Sequence, residues 1–152
     1  MLYIGTARFD DTSARRKAIA LFSYPSAATD LTDGMIVSAV LATTTYGAGK
    51  SVQQSAAAVA YTVGAVDHAV DASAWGDLNY GGPHRLIKVV VAGVKVDALG
   101  DGSVTVGSAV VGGAAGVSSN ATVGTNDAYI FGVALEDDAP AYDCLIYPRW
   151  LV

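Results

Sequence analysis

Short apolar runs separated by glycine or by polar turns dominate the second half of the chain. Residues 86–96 form a β-branched run with Lys88 and Lys95 near its ends, and similar runs follow at 104–111, 128–135 and 144–147. β-Branched residues favour strands, and Asp-Gly and glycine favour tight turns. Each run therefore predicts a short strand. Residues 97–102 are predicted as a turn, and the glycine- and serine-rich residues 112–126 as a loop.

The pattern in the first half is less regular. Residues 13–22 favour a short helix, with apolar residues on one side, that ends before Pro25. Residues 30–34 predict a turn and residues 35–45 a strand. Residues 51–70 combine helical spacing of valines with an alternating stretch, so we expect helical turns first and a strand afterwards. Ser51 and Gln54 match a capping box for that helix.

Length and composition indicate one mainly β body. The chain has 152 residues, Glu136 is its only glutamate, and Ala, Val, Gly, Ser and Thr are abundant. We expect a small β-barrel or β-sandwich over residues 34–152, with at most one short helix. Residues 1–33 are predicted to be an N-terminal arm or irregular edge; an ordinary strand-and-turn unit is the alternative.

Charge and hydropathy disfavour nucleic-acid and membrane partners. The formal net charge is −5 and the isoelectric point about 4.6, which disfavours binding to a phosphate backbone. The uncharged stretches 51–66 and 102–126 are interrupted by polar residues and glycine, so no membrane span is expected. Residues 1–10 lack the pattern of a signal peptide, which predicts maturation in a cytoplasm.

Candidate chemistry is sparse. Residues 44–51 end in Gly-Lys-Ser like a phosphate-binding loop, but Thr44 stands where that loop needs glycine. Residues 97–102 lack ligands that a calcium loop requires, and a turn is the preferred interpretation. His68 and His84 have no partners at zinc-ligand spacing. Cys144 lies in an apolar run and is expected to be a buried, inert thiol. We therefore expect no enzymatic activity, no cofactor and no metal.

Two clusters remain as candidates for binding. The acidic residues Glu136, Asp137 and Asp138 are interpreted as a solvated turn between strands, in preference to a cation site. Five aromatic residues could stack on sugars or serve as core and interface anchors. They are Trp75, Tyr80, Tyr142, Tyr147 and Trp150.

Three segments of the second half carry a resemblance to a known family. They are D-G-S-V-T-V-G-S-A-V (101–110), I-F-G-V-A-L-E-D (130–137) and the final run at 143–147. In style they resemble the β-domains of tailed-bacteriophage capsid decoration proteins, also called cement or head-stabilising proteins. The resemblance covers about a third of the chain, and residues 1–80 carry no part of it.

The resemblance implies a structural protein of the virion, made in the host cytoplasm and bound to the capsid exterior. Its partner would be the major capsid protein, whose neighbouring subunits it would clamp, often as a homotrimer. The capsid-contact candidates are the basic residues Arg8, Arg15, Arg16 and Lys17. The subunit-interface candidates are Trp75, Tyr80, Tyr147 and Trp150. The alternatives are a carbohydrate-binding fibre or adhesin domain, and a nucleotide-binding enzyme using residues 47–51.

Overall fold

The chain forms a curled antiparallel half-barrel, which confirms the mainly β fold predicted from the sequence. The computed structural model describes residues 17–24, 31–39, 52–56, 61–67 and 85–147. The described residues contain nine strands and two 3-10 turns, at Ala114–Gly116 and Asp127–Tyr129. The strands are β1 (Lys17–Tyr24), β2 (Ile36–Ala39), β3 (Val52–Gln54), β4 (Thr62–Val66), β5 (Arg85–Leu99), β6 (Ala109–Gly112), β7 (Ser118–Asn120), β8 (Gly132–Ala134) and β9 (Ala141–Ile146).

The long strand β5 organises the sheet. Val90 pairs with both β1 and β4, and Gly93 pairs with both β1 and β9. A strand residue has one neighbour on each edge, so β4 and β9 share one edge of β5 and β1 takes the other. The sheet consequently divides along β5. We call β1 to β4 with residues 85–91 the first half-sheet, and β6 to β9 with residues 93–99 the second half-sheet.

Two buried apolar clusters stabilise the half-sheets. One cluster packs on a face of the first half-sheet and includes Phe22, Val37 and Val89. The other fills the curl between the half-sheets and includes Ile36, Val90 and the inward side chains of β9. Neighbouring residues of β2 thus enter different clusters, because successive side chains of a strand point to opposite faces.

The predicted helix over 13–22 is wrong where the structure describes it. Residues 17–22 belong to β1, which pairs with β5 along its whole length. Ala20 is buried in one apolar cluster, and Ile19 packs against the other. A strand with apolar residues on both faces produces a continuous apolar run, which periodicity does not distinguish from a helix.

The helical turns predicted at the start of 51–70 are also wrong over the described residues. Val52–Gln54 is β3, paired with β2 in the register Ala39 to Val52. Val52 is fully buried and Gln53 is exposed, which is the alternation of a strand. Pairing with β2 overrides the local capping signal. The strand expected later in this segment is confirmed as β4.

The other strands predicted from the sequence are present, but several are shorter than expected. The strands predicted near 86–96 and 144–147 are present as β5 and β9, and β2 confirms the start of the one predicted at 35–45. The strand predicted at 104–111 is reduced to β6, because residues 105–108 form a turn. The predicted loop at 112–126 contains β7. At 128–135, β8 covers only three residues after a 3-10 turn. The division at residue 33 stays a prediction.

Candidate interaction surface at the loop end

Three connections emerge together at one end of the second half-sheet. Leu99, at the end of β5, pairs with Ala141, at the start of β9. At the same end β6 begins, while β7 and β8 finish. Because neighbouring strands are antiparallel, the connections 100–108, 121–127 and 135–140 lie side by side. We call these three connections the loop end.

Acidic side chains fix the loop end from within. Asp137 accepts a hydrogen bond from the backbone N–H of Val106 at 2.8 Å, and Asp138 accepts one from Gly102 at 2.8 Å. The backbone N–H of Asp138 donates to Val104 at 3.1 Å in return. The predicted acidic turn therefore does connect two strands, β8 and β9. Its carboxylates also hold the neighbouring connection, residues 100–108, in place.

Asn120, the last residue of β7, holds the connection 100–108 against that strand. Its side-chain amide donates to the carbonyl of Ser103 at 2.7 Å, and its side-chain oxygen accepts the N–H of Thr105 at 3.4 Å. Within the connection, Asp101 accepts hydrogen bonds from both the N–H and the hydroxyl of Ser103. These bonds leave residues 101–105 with a defined path although they belong to no strand.

Two turns of the same sequence type stand at this end. Residues 105–108 read Thr-Val-Gly-Ser and residues 122–125 read Thr-Val-Gly-Thr. In each, the fourth N–H donates to the first carbonyl, at 3.1 Å in both turns. The glycines have φ of 80° and 79°, and neither valine has positive φ. This geometry is that of a type II turn, whose third residue needs positive φ.

Each turn presents its valine to solvent. Val106 is 60% exposed and Val123 is 90% exposed, which are the highest values among the large apolar residues of the described chain. An aspartate holds each turn, because Asp127 accepts the N–H of Gly124 at 3.0 Å as Asp137 does that of Val106. The loop end thus displays two valines on fixed supports.

Beyond β5, the charged residues of the second half-sheet and its loops are all acidic. Residues 101–147 contain no Lys, Arg or His. Their six acidic residues are Asp101, Asp127, Glu136, Asp137, Asp138 and Asp143. Glu136 accepts the N–H of Asp143 at 2.8 Å at the start of β9. A surface with one sign of charge attracts partners of the opposite sign.

The basic and aromatic residues singled out from the sequence lie elsewhere or outside the described residues. Lys17 forms an ion pair with Asp67 at 3.0 Å, joining the start of β1 to the residue after β4. Tyr147 follows β9 at the end opposite the loop end, and its side chain is exposed. Arg8, Arg15, Arg16, Trp75, Tyr80 and Trp150 lie outside the described residues, as do the glycine-rich segment 44–51 and both histidines.

Two ionisable groups are buried in the core of the second half-sheet. Cys144 is fully buried, as predicted, and burial raises the pKa of its thiol to about 12. Burial likewise raises the pKa of Tyr142 above its usual range, and the nearby Cys144 contributes in the same direction. A thiol that stays protonated at neutral pH is a poor nucleophile, so Cys144 is suited to packing.

Chemical sites are not evident in the described part of the chain. No group of three or more His, Cys, Asp or Glu residues there could hold a metal ion. The search for long apolar helices, made over the same residues, found none able to cross a membrane. The loop end was missed from the sequence, although the repeated Thr-Val-Gly turns were visible in it.

Compared with known protein families and with curated proteins, the sequence matches none. Among solved structures, the fold is similar to the N base of the head fiber protein gp8.5 of bacteriophage phi29. The similarity covers 86% of this chain and 95% of that one, with a TM-score of 0.51 and 13% sequence identity. At this identity the likeness is one of fold.

Proposed function

We propose that the chain is a structural protein of a bacteriophage virion, without enzymatic activity. It binds the outer surface of the assembled capsid and stabilises it by clamping neighbouring subunits of the major capsid protein. The observation that carries the proposal is the fold shared with the phi29 head fiber base, which extends over most of both chains. The resemblance of residues 101–110 and 130–137 to capsid decoration proteins points the same way.

The physical character of the described residues supports this role. Two buried apolar clusters, and loops held by side-chain hydrogen bonds, make a body that loses little conformational entropy when it binds. Many copies on one lattice add many modest interfaces, so weak individual contacts produce a large total stabilisation. A homotrimer would increase this effect by engaging several subunits together.

Sedimentation with capsids tests the proposal directly. Purified protein is mixed with capsids assembled from the major capsid protein of the same phage, and the particles are pelleted at several salt concentrations. We expect the protein in the pellet and a raised temperature of capsid disruption. Protein that remains in the supernatant at every salt concentration overturns the proposal. The native mass of the free protein tests the trimer separately.

A truncation tests the basic N-terminal residues. Arg8, Arg15 and Arg16 would dock on an acidic patch of the capsid, since opposite charge steers association and sets register. The truncated protein should lack residues 1–16 and start at Lys17, because this residue is the first of β1. We expect weaker capsid binding with unchanged thermal stability. Equal binding by the truncated protein removes these arginines from the interface.

A carbohydrate-binding fibre or adhesin domain is the second candidate. It is favoured by the structural neighbour, which is part of a head fiber. Trp75 and Tyr80 would then stack on sugar rings. A glycan array distinguishes the two functions, because the capsid-binding protein should leave it blank. Reproducible binding that Trp75→Ala abolishes would favour the adhesin.

A further inference from the structure

The two valines of the loop end have no structural reason to be apolar. The second position of a type II turn accepts most residues, and proline is common there. Neither Val106 nor Val123 belongs to either apolar cluster of the described residues. A fixed apolar side chain in water gains free energy only when something covers it. The same choice at two adjacent turns therefore suggests a common occupant.

The supports of these valines are suited to anchoring a partner. The N–H of Val106 donates a hydrogen bond to Asp137. The turn is closed by the hydrogen bond from the Ser108 N–H to the Thr105 carbonyl and by a contact between the Thr105 and Ser108 hydroxyls at 2.7 Å. The second turn is held by Asp127 and by the bond from Asn126 to Thr122 at 3.0 Å. Anchors already ordered in the free protein cost less entropy on binding.

The surroundings of the valines identify the charge of the occupant. Asp101, Glu136 and Asp137 are exposed around the turns. The absence of Lys, Arg and His from residues 101–147 leaves these carboxylates without basic neighbours in that stretch of sequence. An acidic partner would be repelled, whereas a basic one would be steered to this end. The occupant should therefore combine positive charge with two shallow apolar sockets.

We propose that the loop end is the docking face, and that its occupant is a basic, partly apolar patch on the major capsid protein. The inference rests on the proposed function and adds the surface that performs it. Val106 and Val123 enter the sockets, and the carboxylates around them set the register. The N-terminal arginines would meet an acidic patch, so the two contacts would bind patches of opposite charge on neighbouring subunits.

A matched pair of valine variants tests the sockets. The double variant Val106→Thr with Val123→Thr keeps the shape and the turn but replaces one methyl group by hydroxyl at each tip. The control is Val94→Thr, on an exposed valine of β5 that lies about 16 Å along the strand from Leu99. We expect the double variant to bind capsids at least about tenfold more weakly, and the control to stay within about twofold.

Amide variants test the charge without disturbing the turns. Asp137→Asn and Glu136→Gln keep a side-chain oxygen that accepts the same backbone N–H but lose the negative charge. We expect weaker binding at low salt and a shallower dependence on salt concentration, because screening removes the same attraction. Unchanged salt dependence would overturn the proposed basic patch.

The outcomes separate this inference from the proposed function. If the wild-type protein fails to pellet with capsids, the proposed function falls and the docking face falls with it. If the wild type pellets and the double valine variant pellets equally well, only the docking face is overturned. Sedimentation equilibrium of the free proteins tests the alternative occupant, which is a second copy of this chain. If the free wild type forms an oligomer and the double variant does not, the valines contact a second copy of this chain and not the capsid.

Discussion

The hydroxyl of Tyr142 donates a hydrogen bond to the hydroxyl of Ser118 across 2.6 Å in the core of the second half-sheet. The direction follows from a second bond, because Ser118 donates its single proton to the carbonyl of Leu99 at 2.8 Å. Both side chains are almost fully buried. One chain of hydrogen bonds thereby joins β9, β7 and the end of β5, directly beneath the loop end.

Tyr142→Phe tests this relationship. Removing the donor leaves a buried serine oxygen with one partner fewer, so we expect the free energy of unfolding to fall by about 1–2 kcal/mol. The measurement is urea denaturation at neutral pH. Tyr147→Phe is the control, since this exposed tyrosine should tolerate the change. Equal losses in the two variants would contradict the structural role of the bond.

Ser118→Ala should be coupled to Tyr142→Phe. The alanine leaves the tyrosine hydroxyl and the Leu99 carbonyl without this partner, so the single change should cost more than the phenylalanine does. In the double variant the tyrosine hydroxyl is gone, and the losses should fall short of additivity by about 1 kcal/mol. Additive losses, measured by the same denaturation, would show that the two hydroxyls act independently.

Stability should decline in alkaline solution. Above about pH 9 the unfolded chain releases the Cys144 proton, while the folded chain keeps it until about pH 12. The unfolded state then binds fewer protons, so the free energy of unfolding falls as pH rises through this window, by up to about 1.4 kcal/mol per pH unit. Tyr142 adds to the decline above its usual pKa of 10.

Cys144→Ala isolates the contribution of the thiol. The variant should be less stable at neutral pH, because a buried sulfur is lost, but its stability should fall less steeply between pH 9 and 10. Chemical denaturation at each pH measures both slopes. A thiol-reactive dye gives a second readout, since it should label the wild type only when denaturant opens the fold. Parallel slopes in the two proteins would contradict the raised pKa of the buried thiol.

Gly64→Ala should be the most damaging of the small substitutions. A Cβ at Gly64 would clash with the carbonyl oxygen of Val90, so β4 and β5 would have to separate. We expect a loss of about 3 kcal/mol or more, or failure to fold. At Gly107 a Cβ meets nothing within 4 Å, and only the positive φ opposes it. Gly107→Ala should therefore cost about 1 kcal/mol, as thermal unfolding would show. A similar loss at both positions would contradict the close approach at Gly64.

Lys17→Met separates two roles for a residue selected from the sequence. Its ion pair with Asp67 is partly exposed, so the variant should lose at most about 1 kcal/mol at low salt and almost nothing in 1 M salt. Lys88→Met is the control on an exposed lysine of β5. If Lys17→Met weakens capsid binding while stability is unchanged, Lys17 contacts the capsid in addition to pairing with Asp67.

The sequence predicted the β class, the central strand β5 and the buried Cys144, because these depend on composition and on local apolar runs. It failed where partners are distant along the chain. Val104 and Val106 alternate as in a strand, but Gly107 turns the chain. Asp137 holds this turn and Asp138 holds the residues before it. Their carboxylates lie 31 and 36 residues away from the backbone N–H groups whose hydrogen bonds they accept. The acidic cluster was recognised, whereas the backbone groups it holds become visible only in the fold.

The continuity of β5 has a mechanical consequence. The first half-sheet and the second half-sheet are joined through the covalent backbone of this single 15-residue strand. A pull on the loop end is therefore transmitted along peptide bonds to β1 and β4, where it shears rows of hydrogen bonds instead of peeling one half from the other. Under the proposed function, β5 would therefore carry load from a contact at the loop end to the rest of the fold.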